Sequence, residues 1–392
     1  MTALADTLSA ALNDRLTFLN EADKLKSISR ANLIISGQRQ ENSAEHSWHL
    51  MLYALVFADH AAAGVDVDRA ISMLMLHDLV EIEAGDHPIH LAHDPAAIAE
   101  AEHRAADRLF GLLPTADALR FHALRDEFEA GTSATAAFAR RLDIAQPILQ
   151  TLACPLAPDW HRDVVRENLT TGRAVRLSAE WPEMHGHGLA LLDGQPSPAS
   201  DDFLARIAFL STACGLKSVD RATRLHDNSR CENSAEHCWH IALHADLLAD
   251  YASAPVNRAK VVRMMILHDL VEIWAGDTPI HGTVDHAAQA AAEQAAADRL
   301  FGMLPAPLGH RFMALWQEFE AAQTPEAIYA KAIDRTSAPL ANLANGGGSW
   351  VDYSVSYDQL VTRVGTPVRR GAPAVWAELD RRIRAYPFFA NR

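Results

Sequence analysis

Histidine and aspartate recur in this chain in one pattern written twice. His46, His77, Asp78 and Asp143 return as His237, His268, Asp269 and Asp334, each displaced by 191 positions (237 − 46, 268 − 77, 269 − 78, 334 − 143). Two imidazoles and two carboxylates suit a divalent transition metal, and Mn, Co, Fe, Ni and Zn all accept such donors. The adjacent His-Asp pair interrupts the apolar run AISMLMLHDLVEI. Burying uncharged polar groups there without compensation costs on the order of 2–7 kcal/mol each, and a bound cation offers that compensation. Taken singly, each histidine reads better as a hydrogen-bonded core residue and each aspartate as a cap or ion-pair partner. Four positions held at one spacing in two otherwise diverged copies favour the metal, one ion per repeat.

The elements that must position these groups are also duplicated. ENSAEHSWH (41–49) returns as ENSAEHCWH (232–240), Phe18-Leu19 as Phe209-Leu210, Leu25-Lys26-Ser27 as Leu216-Lys217-Ser218 and Phe110-Gly111 as Phe301-Gly302. A unit this long exceeds the 20–50 residues of solenoid repeats and can bury its own core. We therefore expect two domains, 1–196 and 197–392, joined through the Pro-, Gly- and Ser-containing stretch DGQPSPASD (193–201). Asn42 with Glu45 three residues on has the character of a capping box and predicts a helix running toward Ala62. A second helix is expected over Asp68–Glu83, closed by Gly85 with Pro88 beyond. Three more are expected near Ala96–Phe110, Thr115–Ala130 and Ser133–Leu152. Few alternating β-branched runs occur, so the expected class is all-α, two tandem helical bundles.

The 50 acidic against 35 basic residues give a formal net charge of −15, which argues against a long nucleic acid as partner. No apolar stretch approaches the roughly 18–20 residues that span a bilayer, and the N-terminal residues lack a signal-peptide pattern. A soluble cytoplasmic protein without a membrane partner is expected. The four cysteines are too few for a disulfide framework in a chain this size. Cys231 and Cys238 stand where the first copy has Gln40 and Ser47, so a shared site does not depend on them.

The H…HD…D pattern, together with ENSAEHSWH, LHDLVEIEAGD and RLDIAQPIL, resembles the HD-domain metal-dependent phosphohydrolases, specifically their 5'-deoxynucleotidase-like branch. The resemblance runs from about Phe18 and Phe209 onward, almost the whole chain. It implies metal ligands His46, His77, Asp78, Asp143, His237, His268, Asp269 and Asp334. It further implies a phosphate-contacting Arg30 and Arg221, and catalytic or substrate-orienting Glu81, Asp86, Glu272 and Asp277. The implied substrate is a small phosphate ester, a ribo- or deoxyribonucleoside 5'-monophosphate, attacked by a metal-activated water. Relatives of this branch form homodimers, which implies that the fused halves make an intramolecular pseudo-dimer and leaves further oligomerisation open. Residue chemistry agrees: an arginine fork matches phosphate, and Glu81, four residues after His77, is expected on the same helical face.

Other residues shared by the copies carry weaker expectations. Arg39 and Arg230 are solvated surface groups or, since both copies keep them, functional residues with no role assigned. His49 and His240 support the first ligand or merely sit on its helix. Trp48 and Trp239 are core or pocket wall. His90 and His281 motivate an alternative, a di-iron oxygenase, and a nucleotide-sensing module with a structural metal is a second alternative. After Asp143 and Asp334 the copies diverge, ACPLAPDWHRDVVRENL against NGGGSWVDYSVSYDQL. Trp160 and Trp350 are expected to correspond there, while the loss of the glycines from the first copy puts equal substrate specificity in doubt.

Overall fold

The computed structural model describes residues 2–88, 90–282 and 285–390; the outermost residues of the two expected domains lie outside that range. The first half begins with α1 (Thr2–Ala22) and a short hairpin, β1 (Ser29–Leu33) against β2 (Gln40–Asn42). Then follow α2 (Ser43–Val56), α3 (Val67–Leu76), the single turn α4 (Glu81–Ala84), α5 (Pro95–Phe110), α6 (Thr115–Ala130), α7 (Ala134–Ala153) and α8 (Asp159–Thr170). Two further helices, α9 (Leu177–Glu180) and α10 (Pro182–Asp193), lead to the second half. There α11 (Asp201–Ala213), β3 (Asp220–Arg224), β4 (Cys231–Asn233), α12 (Ser234–Leu247), α13 (Arg258–Leu267), α14 (Glu272–Ala275), α15 (His286–Phe301), α16 (Ala306–Ala321) and α17 (Pro325–Ala344) follow. From β1 to α7 every element returns 191 residues later with the same ends, in an all-α fold of two tandem helical bundles.

Local chemistry explains these boundaries. Asn42 and Asn233 cap α2 and α12 with complete capping boxes, the Glu45 and Glu236 side chains reaching back to the cap N–H groups. Asp94 caps α5 ahead of Pro95, and Ser133 caps α7. Phe18 meets Phe121 edge to face at 5.7 Å, as Phe209 meets Phe312 at 6.1 Å, anchoring each core. No helix among the described residues is long and apolar enough to cross a membrane.

Two expected helices are shorter than predicted. The one begun at Asn42 ends at Val56 and passes into a short 3-10 turn at Ala58–His60, not toward Ala62. The expected Asp68–Glu83 helix is broken at the His-Asp pair: α3 stops at Leu76 and α4 resumes at Glu81. Between them Leu79 bonds Leu76, Glu81 bonds Asp78 and Ile82 bonds Leu79, a run of three-residue bonds that tightens the chain. The apolar periodicity continues through this break, which is why it is invisible in the pattern of hydrophobic residues.

Every residue of α2 is buried, polar ones included, because the helix is packed on one side by its own half and on the other by α12. Contacts between the halves are reciprocal under the 191-residue offset. Trp48 Nε1 donates to the Ile266 carbonyl at 3.1 Å, and Trp239 Nε1 to the Met75 carbonyl at 3.0 Å. Asn42 donates to Glu236 at 2.6 Å and Asn233 to Glu45 at 2.9 Å. Arg39 pairs with Glu45 and donates to the Lys217 carbonyl; Arg230 does the same with Glu236 and the Lys26 carbonyl. Arg206 pairs with Asp59 and Arg15 with Asp250. The polarity of ENSAEHSWH therefore serves two ends, a cap network across the halves and a histidine aimed into a site.

Candidate metal centres

Three elements bring the predicted residues together in each half. His46 stands in the first turn of α2, His77 and Asp78 at the break after α3, and Asp143 midway along α7. His46 Nε2 lies 3.5 Å from Asp143 Oδ1 and 4.0 Å from Asp78 Oδ2, while His77 Nε2 lies 3.0 Å from Asp78 Oδ1 and 3.9 Å from Asp143 Oδ1. The second half repeats these separations at 3.2, 4.0, 2.9 and 3.9 Å among His237, His268, Asp269 and Asp334. Donors about 2.0–2.2 Å from one first-row ion stand roughly 3–4 Å from each other, so the spacing of His46, His77 and Asp143, and of His237, His268 and Asp334, suits a cation at the centre, with Asp78 and Asp269 beside them.

Tautomers give an independent test of fit. His77 donates Nδ1–H to the Leu74 carbonyl at 2.9 Å, and His268 to the Met265 carbonyl at 3.1 Å. Each ring then presents the lone pair of Nε2 to carboxylates, an arrangement that is repulsive unless a cation lies between. His46 Nδ1 lies 3.0 Å from the Gln146 side-chain carbonyl and donates to it, so Nε2 is the ring atom turned toward the carboxylates. The buried Nε2 atoms of His46, His77 and His268 have no hydrogen-bond partner; the 3.0 Å approach of Asp78 to His77 lacks hydrogen-bond geometry. The donor sets fit a divalent metal.

Arg30 projects from β1, an element the helical reading of the sequence passed over. Its Nη1 lies 2.8 Å from Asp78, 3.6 Å from Glu81 and 3.8 Å from Asp86; Arg221 meets Asp269, Glu272 and Asp277 at 2.8, 3.8 and 3.6 Å. Gly85 has φ +80° and ψ 160°, a conformation essentially reserved for glycine, and turns the chain after α4 so that Asp86 joins this group. Ser43, the first residue of α2, donates to Glu81 at 2.5 Å, and Ser234 to Glu272 at 2.6 Å. Burial, then the neighbouring Asp78 carboxylate and Asp86, outweigh Arg30 and push the Glu81 carboxyl up to about 8; Glu272 moves the same way for the same reasons. Burial and Arg30 work against the His46 cation, but the Asp143 and Glu41 carboxylates prevail and raise it to about 9, so a metal at Nε2 takes the place of a proton there. Burial holds His77 down, at about 4.

These groups open onto a cavity of about 230 Å³ in the first half and about 520 Å³ in the second. Beyond the shared residues the cavities differ. The first has Trp160, His161 and Arg173; the second has Lys331, Arg335, Tyr353 and Arg363. Trp160 and Trp350 do not correspond in environment: Trp160 is 48% exposed with its ring 5.2 Å from His90, whereas Trp350 is buried. Tyr353, 6.5 Å from His281, stands closer to the place of Trp160. The cause is the divergent segment itself, the glycine-rich turn before α18 (Gly348–Asp352) tucking Trp350 inward against Phe389.

The remaining predicted residues separate clearly. Arg39 and Arg230 belong to the contact between halves. His49 and His240 face the other half, donating to the Leu210 and Leu19 carbonyls at 3.1 and 2.8 Å. Among the described residues no close group of metal donors includes His90 or His281. Cys238 Sγ lies 3.8 Å from Nδ1 of His268, the nitrogen already engaged with Met265, and all four cysteines are free. Ser43, Glu41 and Gln146 are functional neighbours that spacing alone did not single out. Glu41 and Ser43 do lie inside the repeated nonapeptide, whereas Gln146 becomes Ser337 in the second copy and leaves no repeat signal.

Comparison with known proteins matches the family described as HD domain to residues 22–185 and 214–376. The human 5'-deoxynucleotidase HDDC2 is 26% identical over 130 residues, covering 33% of this chain and 62% of the human protein. The chain thus spans about three fifths of that relative's length. The bovine protein of the same name is 27% identical over 167 residues, 41% of this chain and 78% of its own. A solved structure described as a predicted metal-dependent phosphohydrolase from Magnetospirillum magnetotacticum is 38% identical, with 50% of this chain and 98% of that chain covered and a TM-score of 0.46.

Proposed function

This chain belongs to the HD domain family, matched over both halves, and from that premise we propose that each half is a metal-dependent phosphohydrolase acting on (deoxy)nucleoside 5'-monophosphates or related small phosphate esters. The observation that carries the reading is the pair of Nε2 atoms turned toward Asp78 and Asp143, that of His77 with its lone pair exposed, with Arg30 and a protonatable Glu81 beside them. The names of the curated relatives supply the substrate class.

In this reading His46, His77, Asp78 and Asp143 hold one divalent ion, and His237, His268, Asp269 and Asp334 hold another. The ion supplies Lewis-acid polarisation of a phosphoryl oxygen. Arg30 (Arg221), on the cavity wall, offers its fork to the remaining phosphate oxygens and offsets the charge that builds on them. Glu81 (Glu272) carries a proton near neutral pH. Oε2 is held by Ser43 while Oε1 is the oxygen nearer Arg30, and in this reading the carboxyl proton is passed to the departing ester oxygen. Asp86 (Asp277) orients Arg30 and accepts a proton from the attacking water.

The reciprocal contacts support reading the two halves as an intramolecular pseudo-dimer, divided at 196/197 within the connector. Phosphate release from a panel of ribo- and deoxyribonucleoside 5'-monophosphates, with the chain stripped by chelator and reloaded with Mn²⁺ or Co²⁺, tests the proposal. Metal-dependent release is expected. Tight nucleotide binding without release would replace the enzyme by a sensor.

A further inference from the structure

Two buried lysines lie outside this chemistry and cross from one half into the other. Lys217, 1% exposed, sits in the 3-10 turn Cys214–Ser218 of the second half. Its Nζ nonetheless meets three first-half groups, Glu41 Oε1 at 2.5 Å, Gln150 Oε1 at 2.7 Å and His49 Nδ1 at 3.0 Å. Lys26, 3% exposed in the corresponding turn of the first half, reaches Glu232 at 2.6 Å and His240 Nδ1 at 3.0 Å in the second, with its own Asp23 as third partner. A lysine is among the residues least often buried whole, and here the same placement occurs twice.

Each lysine contacts the groups that stand behind the first histidine of the opposite cluster. Glu41 Oε2 lies 3.6 Å from His46 Nδ1, and Glu232 Oε2 lies 3.2 Å from His237 Nδ1, ion-pair approaches without hydrogen-bond geometry. In the first half a second arm runs through Gln146. Its amide nitrogen lies 3.1 Å from His49 Nδ1 and 2.9 Å from Gln150, and its carbonyl receives the His46 Nδ1–H. His49 in turn donates to a second-half carbonyl, Leu210, so its Nδ1 is free to accept from Lys217.

We propose that Lys217 and Lys26 are positioning residues exchanged between the halves: each fixes the orientation of the first metal-binding histidine in the other half, so neither site is complete within its own repeat. The inference rests on the metal-site reading above. Partners behind a metal-binding histidine typically matter by about 10- to 100-fold in metal affinity, and here one partner comes from the other copy.

Mn²⁺ affinity, measured on full-length chains reduced to one site, tests this. In a His268→Ala background the remaining first-half site should bind Mn²⁺ roughly 10- to 100-fold more weakly when Lys217→Met is added, and be far less affected by Lys26→Met. In a His77→Ala background the order should reverse. Thermal melts identify variants that fail to fold. Should Lys217→Met be one, Lys217→Met with Glu41→Gln, which leaves no unpaired buried charge, is compared with Glu41→Gln alone, and a further loss of affinity is expected through the Gln146 arm. Equal losses from both lysine substitutions, or none in folded protein, would overturn the inference. Failure of the His268→Ala parent to bind Mn²⁺ at all would instead overturn the metal-site reading.

Discussion

His77 gives its Nδ1 proton to the Leu74 carbonyl, 2.9 Å away on the same helix, and that bond decides which ring nitrogen faces Asp78 and Asp143. The break between α3 and α4 lets Asp78 turn toward that nitrogen, where a continuous helix would direct the two side chains about 100° apart. The backbone thereby sets the donor atoms before any ion arrives.

Metal content follows directly. Stripped and reloaded chain should hold two divalent ions, and His77→Ala or His268→Ala should each reduce this to one while leaving the helical circular dichroism unchanged. Elemental analysis after gel filtration checks it; one ion in the unsubstituted chain would contradict the equivalence of the two clusters.

Glu81 should impose an alkaline limit on turnover. Burial and the neighbouring carboxylates raise its carboxyl, so the acid form needed to protonate the leaving oxygen persists above the usual carboxylate range and is lost as pH rises further, and kcat falls with it. Glu81→Gln in a His268→Ala background should lower kcat by roughly 10²- to 10⁴-fold and remove the alkaline limb. Metal content should stay the same. A variant with an unaltered pH profile would assign the proton to another group.

Arg30→Lys keeps the charge but loses the planar fork. Hydrogen bonds to charged groups contribute about 1.5–3 kcal/mol, so kcat/KM should fall about 10- to 100-fold with metal content unchanged. Steady-state kinetics in the His268→Ala background reads this. A loss of metal in step with activity would show that Arg30 serves Asp78 and not the substrate.

Trp48 bridges the halves through the Ile266 carbonyl in a fully buried setting. Trp48→Ala should cost about 3–5 kcal/mol, and because α2 and α12 share one interior the loss should appear in a single urea transition. Two separated transitions would mean that the halves unfold independently.

Much of this architecture is legible in the residues. Capping boxes at Asn42 and Asn233 announce the metal-bearing helices, and the 191-residue offset gives every element from β1 to α7 its counterpart. The break at His77-Asp78 is not legible, because the residues stay apolar while the hydrogen bonds shorten. The hairpin bearing Arg30 is too short to establish an alternating pattern. Lys26 and Lys217 are visible as a repeated LKS, yet their place in the opposite half depends on how the copies pack, which no local pattern encodes. Trp160 and Trp350 look alike in sequence but differ in burial, since the glycine turn that sends Trp350 inward exists in one copy alone.

The central claim is that both halves hydrolyse phosphate esters. It is tested most directly by phosphate release from nucleoside 5'-monophosphates on Mn²⁺-loaded wild type, His77→Ala, His268→Ala and the double variant. We predict that each single variant retains turnover, with differing preferences that reflect the unlike cavities, and that the double variant retains none. Undiminished turnover in the double variant, or none in the metal-loaded wild type on any monophosphate, would contradict the account.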